Sequence, residues 1–144
     1  LMARAYLFLG PIEAIACMFG FFWVMNRGGW TWGTHVALTD PIYLQATTAC
    51  LSAIIVTQIA NVFACRSLRE SLFTIGIATN RLIFLGIGAE VLLQLFIVYH
   101  PFGNAVFSTA PISVETWLVL APFALLLLAA EETRKFVVRR MKPV

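Results

Sequence analysis

Two carboxylates, Glu13 and Glu90, sit inside long apolar runs, and another run carries Gln58 and Asn61. A charge at mid-bilayer costs about 2.5–3.5 kcal/mol on insertion scales, so such groups need a reason to be there. Carboxylate and amide oxygens are the ligands that hard cations such as Na⁺, K⁺ and Ca²⁺ take, and a carboxyl can also carry a proton. Gln58 and Asn61 share one helix face through their i,i+3 spacing. Depth follows from the rise of about 1.5 Å per residue. Gln58 lies about 12 Å from Arg66, Glu90 about 13 Å from Arg81 and Glu13 about 12 Å from Ala5, while Asn61 is shallower, at about 7–8 Å. Polar groups on three helices therefore share one level, where Gln58 and Glu90 can meet. Two readings stand: an oxygen-lined cation or proton site built from Gln58, Asn61 and Glu90, or interhelical glue in which these side chains hydrogen-bond neighbouring helices. Glu13 is the lesser candidate, since a carboxylate soon after Pro11 can instead cap freed backbone groups or snorkel.

Other reactive residue types point to structure. His35 and His100 fall in or beside loops without ligand-spaced partners and read as surface histidines. Cys17, Cys50 and Cys65 lie in apolar stretches with no CxxC pair, and they read as small buried hydrophobes rather than metal ligands or a disulfide. The consecutive aromatics Phe19, Phe21, Phe22 and Trp23 suggest lipid contact. Glu131 and Glu132 are followed by Arg134 and Lys135, a charge-paired helix end in which Glu131 and Lys135 have the favourable i,i+4 order. There is no phosphate-binding glycine loop, nucleophile elbow or HExxH. Catalytic residues, a resident metal and activity of this chain alone are not expected.

The elements that must position these groups are membrane helices. Hydrophobic residues make up 60% of the 144 and charged residues 12%, against about 25% charged in a soluble domain. The pattern predicts an all-α membrane protein, one domain over residues 1–144, with four transmembrane helices at about 5–25, 45–65, 82–99 and 117–137. Of the ten Lys/Arg, only Arg27 falls in the loops 26–44 and 100–116. Short loops rich in Lys/Arg stay inside, so both termini are expected to be cytoplasmic. The net charge of +3 is then a topology signal and not a sign of a nucleic-acid partner.

Finer expectations follow along the chain. Gly10, Ala14, Ala16 and Gly20 let helix backbones approach closely in lipid. Pro11 is expected to kink the first helix. Trp30 and Trp32 suit a membrane–water interface, and Asp40-Pro41 suits a turn. The segment 66–81 reads as an interfacial half-helix with Leu68, Leu72, Phe73 and Ile75 facing lipid. Pro101 should close the third helix, leaving Phe102–Glu115 as an external loop. No signal peptide is visible, and the start at Leu1 suggests a piece of a longer protein.

A specific pattern runs through Gly10-Pro11-Ile12, Gly20-Phe21-Phe22, Thr57-Gln58-Ile59-Ala60-Asn61, Ala64-Cys65-Arg66-Ser67, Arg69-Glu70-Ser71, Asn80-Arg81 and Glu131-Glu132-Thr133-Arg134-Lys135. It resembles the C-terminal membrane domain, the seventh to tenth helices, of P-type cation-transporting ATPases of the Ca²⁺ and Na⁺,K⁺ pump group. The resemblance covers nearly the whole chain. It implies a domain that supports the ion-binding helices and contributes ion-site oxygens through the places of Gln58 and Asn61. Ca²⁺ pumps carry a glutamate at the first place; the Na⁺,K⁺ type has Gln and Asp at the two. This chain, with Gln and Asn, has a carboxylate at neither. Glu90 matches a ninth-helix carboxylate that can balance a cation or carry a proton. The parent would use ATP and Mg²⁺, none of it bound by this fragment. Implied partners are the lipid bilayer, a monovalent or divalent cation, and the remaining helices and cytoplasmic domains of the pump, in the plasma or cell membrane. Two other readings remain open: a self-contained, proton-coupled cation or multidrug transporter using Glu13, and an accessory membrane assembly module.

Overall fold

The computed structural model describes residues 8–67, 70–76 and 80–141, apart from the side chains of Phe73 and Ile75. The described residues form helices and connecting turns, with no strand among them. The helices are α1 (Gly10–Arg27), α2 (Pro41–Ala64), α3 (Leu72–Ile75), α4 (Arg81–Tyr99), α5 (Pro101–Phe107) and α6 (Val114–Met141).

Helix ends are set by local chemistry. Pro11 lies in the opening turn of α1, where its missing N–H costs nothing. Asp40 does more than make a turn: its Oδ1 accepts from the Ile42 amide at 2.8 Å, Pro41 opens the helix, and α2 starts at residue 41 rather than 45. Asn80 caps α4 in the same way, accepting from the Leu82 amide at 3.0 Å. After Tyr99 the chain turns directly into α5, where an external loop was expected. His100 starts α5 by accepting from the Phe102 amide at 3.2 Å. Asn104 then reaches back, its Nδ2 donating to the carbonyls of Ile97 and Val98, both at 2.9 Å.

Among the described residues three helices are long and apolar enough to cross a membrane: α2, α4 and α6. Helix α1, with 18 residues including Glu13, Asn26 and Arg27, is not among them. In its most apolar window α2 is 39% buried within the chain and α4 only 11%. Helix α2 is therefore the central rod, and α4 lies at the edge with Leu82, Leu85, Leu92 and Leu93 turned outward.

Small residues make the centre. Ala16 and Gly20 of α1, Ala46, Ala49 and Ala53 of α2, and Leu120 of α6 are all buried. A Cβ on Gly20 would sit 3.0 Å from Leu120 Cδ2 and 3.2 Å from the Ala49 carbonyl oxygen, so the glycine sets how closely α1 and α2 approach. Ala14 is exposed and takes no part. The same close approach brings Cys17 and Cys50 to a Cα–Cα separation of 4.2 Å, paired as a disulfide. That corrects their reading as isolated small hydrophobes; pairing across two helices leaves no spacing signal in the sequence. Phe21 and Trp23 also depart from pure lipid contact, packing against the cluster of Val24, Met25, Ala46 and Ala49.

The chain between α2 and α4 is fastened to α6. Glu132 accepts from the Ser71 hydroxyl at 2.6 Å, the Leu72 amide at 3.1 Å and Lys135 Nζ at 3.0 Å. Arg66 donates to the Gly76 carbonyl at 2.8 Å. Leu72 is buried, not facing lipid as expected, because this clasp draws it inward; Leu68 lies outside the described residues. The charge pairing also differs from expectation. Lys135 pairs with Glu132, and Arg134 takes Glu131 at 2.6 Å and 2.9 Å. Both pairs are i,i+3.

Candidate functional site

Most polar side chains of α2 are satisfied along their own helix. Thr47 donates to the Tyr43 carbonyl, Thr48 and Ser52 donate one turn back at 2.6 Å and 2.8 Å, and Thr57 donates to Ala53 at 2.9 Å. Such i−4 bonding is how a hydroxyl survives in an apolar phase. Gln58 and Asn61 have longer side chains that reach beyond the helix's own carbonyls.

Gln58 turns toward α1. Its Nε2 donates to Glu13 Oε2 at 3.0 Å. Asn61 Nδ2 points to Gln58 Oε1 at 3.5 Å, and Cys65 Sγ donates to Asn61 Oδ1 at 3.2 Å. The result is a polar ladder along one face of α2, headed by a carboxylate on α1. The other carboxylate oxygen, Glu13 Oε1, is shielded from solvent and accepts no hydrogen bond. Around the ladder the packing is apolar: Leu9 and Ile12 of the first segment meet Ala60, Ala64 and Leu127.

Glu90 is half-buried on α4, and no hydrogen bond joins it to Gln58. The expected meeting of Gln58 with Glu90 is replaced by Gln58 with Glu13. The cause is angular. Ile55, Val56 and Ile59 are the α2 residues that face α4, lining a cavity of about 430 Å³ with Val91, Gln94 and Leu95. Gln58 is turned about 100° from Ile59, toward α1. The polar link between α2 and α4 is made instead by Gln94, a buried amide whose Nε2 donates to Ser52 Oγ at 2.9 Å. Gln94 was not among the sequence candidates, although it is the sole amide in the apolar run of α4 and could have been flagged on that ground. Among the described residues no group of three His, Cys, Asp or Glu is gathered; His35 is exposed, and His100 is the cap of α5.

An apolar helical domain with a half-buried amide–carboxylate ladder is found to have relatives. Residues 1–137 match the family described as cation transporting ATPase, C-terminus. The chain belongs to this family. It is 32% identical over 117 residues to the "probable cation-transporting ATPase F" of Mycobacterium tuberculosis (strain H37Rv), an alignment covering 81% of this chain and 12% of that protein. The corresponding protein of Mycobacterium bovis gives the same figures. The "sodium/potassium-transporting ATPase subunit alpha-2" of Gallus gallus is 27% identical over 164 residues, covering 97% of this chain and 16% of that protein. The chain therefore spans between 12% and 16% of the length of these relatives. As a member of the cation transporting ATPase C-terminal family, it is the C-terminal membrane part of a P-type cation ATPase. The ladder presents amide and carboxylate oxygens, the ligand type that hard cations accept.

Proposed function

We propose that this chain is the C-terminal membrane domain of an ATP-driven cation pump, forming one unit over residues 1–144 that supports the pump's ion-binding helices. In this reading α1, α2, α4 and α6 all cross the bilayer and both termini are cytoplasmic. The concentration of Lys/Arg around the termini and between α2 and α4 favours that threading. So does the pairing of Arg27 with Glu115, which ties the outer ends of α1 and α6. Helix α1 carries Glu13 across by pairing it with Gln58. ATP and Mg²⁺ act in the remainder of the polypeptide, and the domain's partners are lipid, the other helices and a transported monovalent or divalent cation in the cell membrane.

The observation that carries the proposal is the half-buried Glu13–Gln58–Asn61 ladder between α1 and α2. Interhelical hydrogen bonding alone would be satisfied by the single Gln58–Glu13 contact. The unmet Glu13 oxygen and the carbonyl oxygen of Gln58 leave acceptor capacity for a cation region contributed in part by other helices. Glu90 lies apart from the ladder and would act as a separate charge-balancing or proton-carrying group. The test is cation-dependent ATP hydrolysis by the complete polypeptide. Gln58→Ala and Glu90→Gln should each raise the half-saturating cation concentration; unchanged cation dependence in both would reduce these residues to packing.

A further inference from the structure

The chemistry of the ladder gives it a direction. An amide can present either its NH₂ or its oxygen to a neighbour, but an ionised carboxylate only accepts. With Glu13 accepting at its head, Gln58 turns Nε2 toward α1, and its Oε1 is thereby sent along α2 toward Asn61. Asn61 meets that oxygen with Nδ2 and turns its own Oδ1 to Cys65. Three hydrogen bonds run with one polarity, and one group sets it.

We propose that Glu13 is a positioning residue that fixes the amide orientation of Gln58, and through it of Asn61. This rests on the reading of Gln58 and Asn61 as oxygens of the ion region. A carboxylate missing from the places of Gln58 and Asn61 is supplied one helix away, where it orients the amides without belonging to either. In the free rotamer of an isolated glutamine, the oxygen and the NH₂ exchange ends at little cost, and half of the population would aim a donor at a cation. Glu13 removes that half.

The proposal is tested in the complete polypeptide by a double-mutant cycle read in two ways. The first is the half-saturating cation concentration for ATP hydrolysis. The second is thermal unfolding in detergent without the transported cation. Glu13→Ala should raise the half-saturating concentration by about twofold, the factor set when about half of the population is correctly oriented, with the maximal rate retained. Gln58→Ala/Glu13→Ala should be no worse than Gln58→Ala. Glu13→Gln, whose amide can present either end to Gln58, should leave most of the loss in place. Multiplying effects in the double variant would show that Glu13 acts independently of Gln58 and would overturn the proposal. Glu13→Gln behaving like the unchanged protein would overturn it too, because an acceptor-only group at that place would then not be what sets the orientation. Coupling in unfolding combined with unmoved cation dependence in every variant would remove the ion-region reading while leaving Glu13 as the group that orients Gln58.

Discussion

Glu132→Ala should release the segment between α2 and α4 from the C-terminal half of α6. The carboxylate holds the Ser71 hydroxyl, the Leu72 amide and Lys135 Nζ at 2.6, 3.1 and 3.0 Å. Its removal leaves the Leu72 N–H without its acceptor and the ammonium of Lys135, whose side chain is 0% exposed, without its counter-charge. Breaking a buried ion pair by deleting one partner costs about 3–5 kcal/mol. Glu132 itself is 20% exposed, so water replaces part of what is lost and about 2–3 kcal/mol is expected, below the figure for a fully buried pair. Glu132→Ala should therefore lower the unfolding temperature in detergent, and amide exchange at Leu72–Gly76 should accelerate by about thirtyfold or more. Adding Lys135→Met should return much of the stability, since a buried pair replaced by apolar groups is close to neutral, but exchange at Leu72–Gly76 should stay fast because the amide acceptor is still absent. A Glu132→Ala chain with unchanged unfolding and unchanged exchange would refute the clasp.

Two further outcomes test the packing and the surface. Gly20→Val puts a branched side chain where a single Cβ already lies 3.2 Å from the Ala49 carbonyl oxygen; it should cost about 1–3 kcal/mol, measured by thermal unfolding, and an unaffected protein would mean that α1 and α2 are not in close contact. Arg27→Ala should change stability by less than about 1 kcal/mol, since both it and Glu115 are more than half exposed; a larger loss in the same assay would show that the outer ends are buried in the assembled protein.

The sequence made the rods visible because apolar runs and Lys/Arg asymmetry are one-dimensional signals. The positions of Gln58, Asn61 and Glu13 in apolar runs, and the role of Gly20, could be read from residue type and spacing. What could not be read was azimuth. Matching height let Gln58 meet either Glu13 or Glu90, and only the packing of Ile55 and Ile59 toward α4 decides between them. Helix α5 was missed because its seven residues begin with Pro101 and contain Gly103, and its stability comes from Asn104 and Gly103 docking on α4. A Cβ at Gly103 would fall 2.4 Å from the Phe96 carbonyl oxygen. Cys17–Cys50 and the clasp at Glu132 join residues far apart in the chain, and no local pattern announces either.

The fold-back of α5 has a consequence for how α4 sits in lipid. A helix normally ends with bare carbonyls that seek water. Here the oxygens of Phe96, Ile97 and Val98 are met by the His100 amide, Asn104 and Thr109. The upper tip of this rod carries its own substitute for hydration and can remain submerged below the headgroups. A stretch of 19 residues, about 28 Å long, can thus tolerate a thicker bilayer without stretching, tilting or exposing thirsty backbone.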